Sequence, residues 1–147
     1  MPRKSHFVLD EFNLTGAVIP KRVQQSIQKN HIAVMNPVRD ELGAAITVSK
    51  KSGWRPGEYE KRKKRSGNST HTFKIQAKDP EGKGAADYTA DDIERLLQLM
   101  IEKTGFNRIC YYPNNKFIHA DYAYPERGRR LFHAASPAAE WKFIKEL

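Results

Sequence analysis

Residues 69–87 read S-T-H-T-F-K-I-Q-A-K-D-P-E-G-K-G-A-A-D, and the way the chain travels from His71 to Asp87 decides the fold. Both residues sit among small neighbours, and a third potential ligand, His119, follows in F-I-H-A-D. A hydrolytic zinc site needs three nitrogen or oxygen ligands and one position left for water. His71, Asp87 and His119 supply that set from separate segments, so the fold has to gather them.

The chain has 147 residues, the length of one ordinary domain, and buries roughly two-thirds of its unfolded surface. A single domain over 1–147 is expected. Hydrophobic residues make up 39% of it, enough Leu, Ile, Val, Phe and Tyr to pack a core. No apolar run approaches the roughly 18 residues needed to cross a bilayer, and the start, M-P-R-K-S-H-F, lacks the apolar centre of a secretory leader. The expectation is a chain that is cytoplasmic as made, with no transmembrane segment. The single Cys110 excludes an internal disulfide and a cysteine-rich zinc cluster, and in R-I-C-Y-Y it reads as a buried, inert thiol. A net charge of +9 and a pI near 9.7 predict attraction to a polyanion, whether nucleic acid, an acidic membrane surface or a bacterial cell wall.

Working outward from 69–87 towards the N-terminus, F-V-L-D-E-F reads as a short strand or extended lead-in that packs. Val23, Ile27, His31 and Val34 recur at helical spacing after Pro20, which predicts a helix over 20–34 with His31 as a core residue. A second helix is expected from Asn36-Pro37, with Asn36 as N-cap, to Gly43. A-A-I-T-V-S then reads as a buried strand leading to the S-G-W-R-P corner. E-Y-E-K-R-K-K-R-S-G-N-S holds most of the charge excess and reads as a solvated face, with a footing for an anionic substrate as the alternative.

Towards the C-terminus, T-A-D-D-I-E-R-L-L-Q-L-M-I-E-K-T-G predicts a helix capped by Thr89, striped by Ile93, Leu96, Leu97 and Met100, and ended by Gly105. F-N-R-I-C-Y-Y and K-F-I-H-A-D-Y-A read as a hairpin about P-N-N. A final helix is expected from Ser136 and Pro137, docking through Trp141 and Ile144. Helices and strands do not alternate as in a parallel sheet, so the expected class is α+β, a small, mostly antiparallel sheet flanked by helices.

The residues themselves suggest how such a site would work. In strand geometry His119 and Asp121 share one face, so Asp121 can lie beside a metal held by His119 and take a proton from water. Arg55, on the Trp-Arg-Pro corner, can bind a substrate carboxylate or stabilise an oxyanion. Spacing of this kind does not by itself separate a metal site from histidines that merely pack or face water.

The ordered set S-G-W-R-P, S-T-H, G-K-G-A-A-D and F-I-H-A-D resembles the zinc D-alanyl-D-alanine peptidase superfamily, which includes phage endolysins and the hedgehog fold. It is most similar to the short subfamily, and with E-F, I-P and N-P-V-R-D-E-L-G the likeness covers most of 7–123. The resemblance implies that His71, Asp87 and His119 ligate Zn2+, that Arg55 is the substrate-binding or oxyanion-stabilising cation, and that Ser69 supports the site by hydrogen bonding. Two departures stand out. The family places the Asp seven residues after the His, whereas Asp87 lies sixteen residues after His71, so an insertion around 73–81 has to loop out. Larger relatives carry an acidic residue three positions before the last His, where Lys116 stands here, which leaves Asp121 as the candidate base.

The implied function is zinc-dependent hydrolysis of a peptide bond in peptidoglycan stem peptides or cross-links, by a cell-wall lytic, endolysin-like metallopeptidase acting at the wall after release. The substrate partner is then the stem peptide, in an anionic wall that attracts a basic protein. A non-enzymatic phage structural or wall-binding module of the same fold is the alternative. A nucleic-acid binder is suggested by K-R-K-K-R, Arg129, Arg130 and the many Tyr, without a base-reading or stacking motif. Which bond is cut, and the oligomeric state, are left open by the sequence.

Overall fold

The computed structural model describes residues 5–49, 53–63 and 67–147. Its centre is a six-stranded sheet in the order β1-β2-β4-β3-β5-β6, built from β1 (Thr47–Val48), β2 (Ala85–Thr89), β3 (Arg108–Tyr112), β4 (Phe117–Asp121), β5 (Arg130–His133) and β6 (Lys142–Glu146). The protein is mixed helix and sheet, as expected. The sheet itself is mixed, which corrects the mostly antiparallel expectation. β5 runs parallel to β3, because the chain leaves β4 through a turn at Pro125–Arg127 and passes β3 before pairing on its far side.

The pleat sorts side chains between two layers. Ala86, Tyr88, Ile109, Ile118, Ala120 and Leu131 project to one face and join the main core under the helices. The opposite face carries Asp87, His119, Cys110 and Phe132 in one row across the strands, and Asp121 opposite Arg108 in the next. The functional candidates therefore lie on the face that the helices leave open.

The helical layer starts as one run, α1 (Lys21–Ile27), a π turn over Gln28–Ile32 and α2 (Ala33–Leu42). The expected break at Asn36 does not occur. Pro37 sits inside α2, and both it and Ala33, whose carbonyl Pro37 has no N–H to meet, are exposed, so water can satisfy the lost bond. Met35 and Val38 bury in the core and hold the run together. Asn36 instead accepts a bond from the His6 N–H at 3.0 Å. Gly43, at φ +69°, ends α2 in the left-handed conformation that the sequence predicts.

α3 (Gly57–Arg62) holds the described part of the basic run, with Lys61, Arg62 and Lys63 exposed, while Lys64 and Arg65 lie outside the described residues, as does Ser52 of the S-G-W-R-P corner. α4 (Ile93–Lys103) packs against α2. Its cap is Asp92, whose carboxylate accepts the Arg95 N–H at 3.1 Å, rather than Thr89, whose hydroxyl donates to the Lys116 carbonyl. The helix closes at Thr104, one residue before Gly105, with the Thr104 hydroxyl turned back to the Met100 carbonyl.

Two terminal expectations are also corrected. The F-V-L-D-E-F segment forms a 3-10 turn at Leu9–Phe12, stabilised by Glu11 accepting the Val8 N–H, and it packs as expected, through buried Phe7 and Phe12. The last segment turns at Ser136 and pairs as β6 along β5 instead of forming a helix. Trp141 anchors it by donating its indole N–H to the Tyr112 hydroxyl at 2.7 Å. Among the described residues, no helix is long and apolar enough to cross a membrane.

Candidate metal centre

Register alone brings two of the three candidate ligands together. Asp87 of β2 pairs directly with His119 of β4, so the two side chains are cross-strand neighbours on the open face. His71 arrives from a separate 3-10 turn, Thr70–Thr72, in which the Ser69 hydroxyl accepts the His71 N–H at 3.2 Å and the Ser69 carbonyl the Thr72 N–H at 3.0 Å. The Arg55 N–H donates to the His71 carbonyl at 2.8 Å, which fixes the turn against the Trp54-Arg55-Pro56 corner.

The segment between His71 and Asp87 is built to return. Phe73 takes a left-handed conformation and plunges into the core, and the Arg22 guanidinium donates to its carbonyl. Asp79, 1% exposed, accepts the N–H groups of Lys83 and Gly84 at 3.0 and 2.9 Å. Gly84, at φ +76°, passes directly against the Phe73 ring, where any Cβ would collide. The extra residues thus form a clamped excursion that delivers Asp87 in register.

The three donor atoms converge. His71 Nε2 lies 3.2 Å from His119 Nδ1, His119 Nδ1 lies 2.9 Å from an Asp87 carboxylate oxygen, and that oxygen lies 3.6 Å from His71 Nε2. A tetrahedral zinc ion with bonds of about 2.0–2.1 Å separates its ligand atoms by about 3.3 Å, and these three distances bracket that edge. The group is buried and can hold a metal ion.

The far side of each ring is committed in the manner a ligand requires. The His71 Nδ1–H donates to the Gly53 carbonyl at 3.0 Å, leaving the Nε2 lone pair for the cluster. Gly53 is obligatory there, since a Cβ would meet the Phe12 carbonyl oxygen at 2.5 Å. The His119 Nε2–H donates to Asp121 at 2.7 Å, leaving Nδ1 for the cluster. Asp121 is fully buried and accepts from Arg108 through Nε at 2.9 Å and a terminal nitrogen at 2.6 Å, from the Thr70 hydroxyl, and from the Ala123 N–H.

Electrostatics follow the same division. Burial, reinforced by the charges of His119 and Arg55, lowers the His71 pKa to about 3 and keeps it neutral. Burial also opposes charge on His119, but hydrogen bonds to Asp121 and Asp87 outweigh it and raise that pKa to about 9. Burial disfavours the Asp121 anion as well, yet His119 and Arg108 hold the group well below the usual carboxylate range. A metal entering the cluster has to displace a proton from His119.

A cavity of about 560 Å³ opens over the cluster. Arg55 lines it, with its guanidinium 3.1 Å from buried Glu60. Trp141 forms a wall edge-on to the His119 ring at 5.1 Å and is crossed by the Arg108 guanidinium at 4.6 Å. Lys116, in the β3–β4 turn at φ +55°, is exposed and does not line the cavity. Cys110 is buried, and burial raises its thiol pKa to about 12, as an inert thiol requires.

The structure therefore places all six residues singled out in the sequence at one locus, with His71, Asp87 and His119 in front, Asp121 behind His119, Arg55 at the rim and Ser69 holding the His71 turn. Sequence reasoning missed Gly53, Thr70, Lys78, Arg108 and Trp141. Arg108 was recoverable in principle, because a hairpin that sets Cys110 opposite His119 also sets Arg108 opposite Asp121. No family model, no curated protein and no solved structure matches this chain.

Proposed function

We propose that the chain is a zinc-dependent peptidase that hydrolyses a peptide bond in bacterial peptidoglycan stem peptides or cross-links. The convergence of His71 Nε2, His119 Nδ1 and the Asp87 carboxylate under an open cavity carries this reading. Two neutral nitrogens and one carboxylate are a donor set that suits zinc and leaves it one net positive charge. When bound, zinc supplies the Lewis acidity that polarises a scissile carbonyl and acidifies water.

The protein's own residues have distinct tasks. Gly53 and Asp121 fix the two imidazoles in the tautomers that ligation needs. Asp121 works by orienting His119 rather than as the general base, since both its oxygens are engaged and its proton affinity is low. Arg55 faces the cavity, held by Glu60, where it can stabilise an oxyanion or a substrate carboxylate. Trp141 and Phe117 give the cavity apolar walls that limit water.

A second reading is a wall-binding module of the same construction. It is favoured by one observation, that Asp87 is the single carboxylate among the described residues lining the cavity. Digestion of purified cell walls with the zinc-loaded protein, read by mass spectrometry of the released muropeptides, decides between the two. The peptidase reading requires new peptide termini from the wild type and none from His71→Ala or Asp87→Ala. Wall association without cleavage on several wall types selects the binding module, and full activity in either variant sinks the metal mechanism.

A further inference from the structure

The segment that separates His71 from Asp87 brings one side chain of its own to the cavity. Lys78 is half-buried and lines the cavity together with Thr70, His71 and Arg108. Its backbone is tied down: the Tyr124 N–H donates to its carbonyl at 2.6 Å, Gln76 and Asp79 pair on either side of it, and the Gln76 amide donates to the Asn68 carbonyl. This is a rigid platform, as a recognition residue needs.

The charges around it are already matched, and Lys78 is the exception. Arg55 lies against Glu60, and Arg108 makes a two-pronged bond to Asp121. Asp79 and Asp121 are near enough to act on the Lys78 charge, but the oxygens of Asp79 hold the Lys83 and Gly84 N–H groups and those of Asp121 hold His119 and Arg108. Among the described residues no carboxylate pairs with the Lys78 ammonium. Burial, followed by the neighbouring Arg108 charge, lowers its pKa, so the cation is held at a cost that a bound anion would relieve.

We propose that Lys78, delivered to the metal cavity by the segment between His71 and Asp87, binds a carboxylate of the substrate and makes the cavity selective for anionic peptides. An ammonium is a compact point charge with three rotatable donors, suited to a carboxylate whose approach angle is set by groups elsewhere in the cavity. Lys78 is thus a specificity residue that the inserted segment adds to the site.

The identity of the peptide rests on the peptidase reading, and the test separates the two. Zinc-loaded full chain, as wild type, Lys78→Met and Lys78→Arg, is titrated with a synthetic stem peptide and with its counterpart whose carboxyls are carboxamides. Binding is read by calorimetry, cleavage by mass spectrometry, and zinc content confirms that each variant keeps its site. Wild type binds the carboxylate form about tenfold more tightly than the carboxamide, Lys78→Met loses most of that preference and keeps only what Arg55 supplies, and Lys78→Arg keeps most of it. A preference undiminished in Lys78→Met, or absent from wild type, overturns the role of Lys78 whether or not the peptide is cut. Loss of the preference in Lys78→Met with no cleavage by any form supports Lys78 and sinks the peptidase reading.

Discussion

His31 and His119 are both buried, at 0% and 6% exposure, yet the protein uses them in opposite ways. His31 stands in the helix-side core, where its Nε2–H donates to the Lys83 carbonyl and its Nδ1 accepts from the Tyr88 hydroxyl. The rings of Phe12, Phe73, Phe106 and Tyr122 surround it, and burial drives its pKa down to about 4. His119 stands on the other face of the sheet with a carboxylate at each nitrogen and a pKa raised to about 9. Residue type and burial are shared, so the partners decide the role. Satisfied neutral partners make a core histidine, and an aimed lone pair with a carboxylate behind it makes a candidate ligand.

The contrast breaks most visibly when a ligand is removed. His119→Ala or Asp87→Ala is expected to weaken zinc binding by more than the roughly 100-fold typical of losing an outer partner, and to abolish peptide release. His31→Leu is expected to keep one zinc per chain. Competition with a chromophoric chelator measures both, and loss of zinc from His31→Leu would erase the distinction.

Acid sharpens it next. The folded pKa of His31, about 4, lies below the ordinary 6.5, so the unfolded chain takes up the proton first as pH falls. The neutral form therefore contributes its full stability above pH 6.5 and loses it as pH drops towards 4, by about 3 kcal/mol. Unfolding free energies of the zinc-free protein, from denaturant titrations at pH 7 and pH 4, should show a drop that is smaller by about this amount in His31→Leu. An equal drop in both proteins would contradict the assignment.

Asp121→Asn tests the far side of His119. It is expected to reduce zinc affinity about 10- to 100-fold, less than loss of a ligand, because the ring can still reach the cluster without being held in one tautomer. Unchanged affinity would make Asp121 a structural partner of Arg108 alone. The smallest effect is expected from Trp141→Phe, which keeps a ring at the cavity wall and loses only the bond to Tyr112. A loss of about 1 kcal/mol in thermal stability with unaltered zinc content fits that role.

These two histidines also mark what the sequence could reveal. The apolar spacing around His31 was enough to place it in the core, and Gly43 was enough to end its helix, because both are local signals. His71, Asp87 and His119 were legible through their motifs, and the Asp87–His119 pairing follows from strand register. What escaped was set by distant contacts. Pro37 fails to break the helix because Met35 and Val38 bury and Ala33 faces water. The C-terminal segment becomes a strand because β5 offers it an open edge and Tyr112 a bond for Trp141. The long His71–Asp87 spacing hid its own solution, since neither the Asp79 clamp nor the Gly84–Phe73 contact can be read from spacing.

The central claim is that His71, Asp87 and His119 hold one zinc ion. Anomalous scattering at the zinc edge from crystals of the zinc-loaded full chain tests it most directly. A single peak is expected about 2.0–2.1 Å from His71 Nε2, His119 Nδ1 and an Asp87 oxygen, with Asp121 on the far nitrogen of His119. A peak elsewhere, ligation through His119 Nε2, or no peak at all would contradict it.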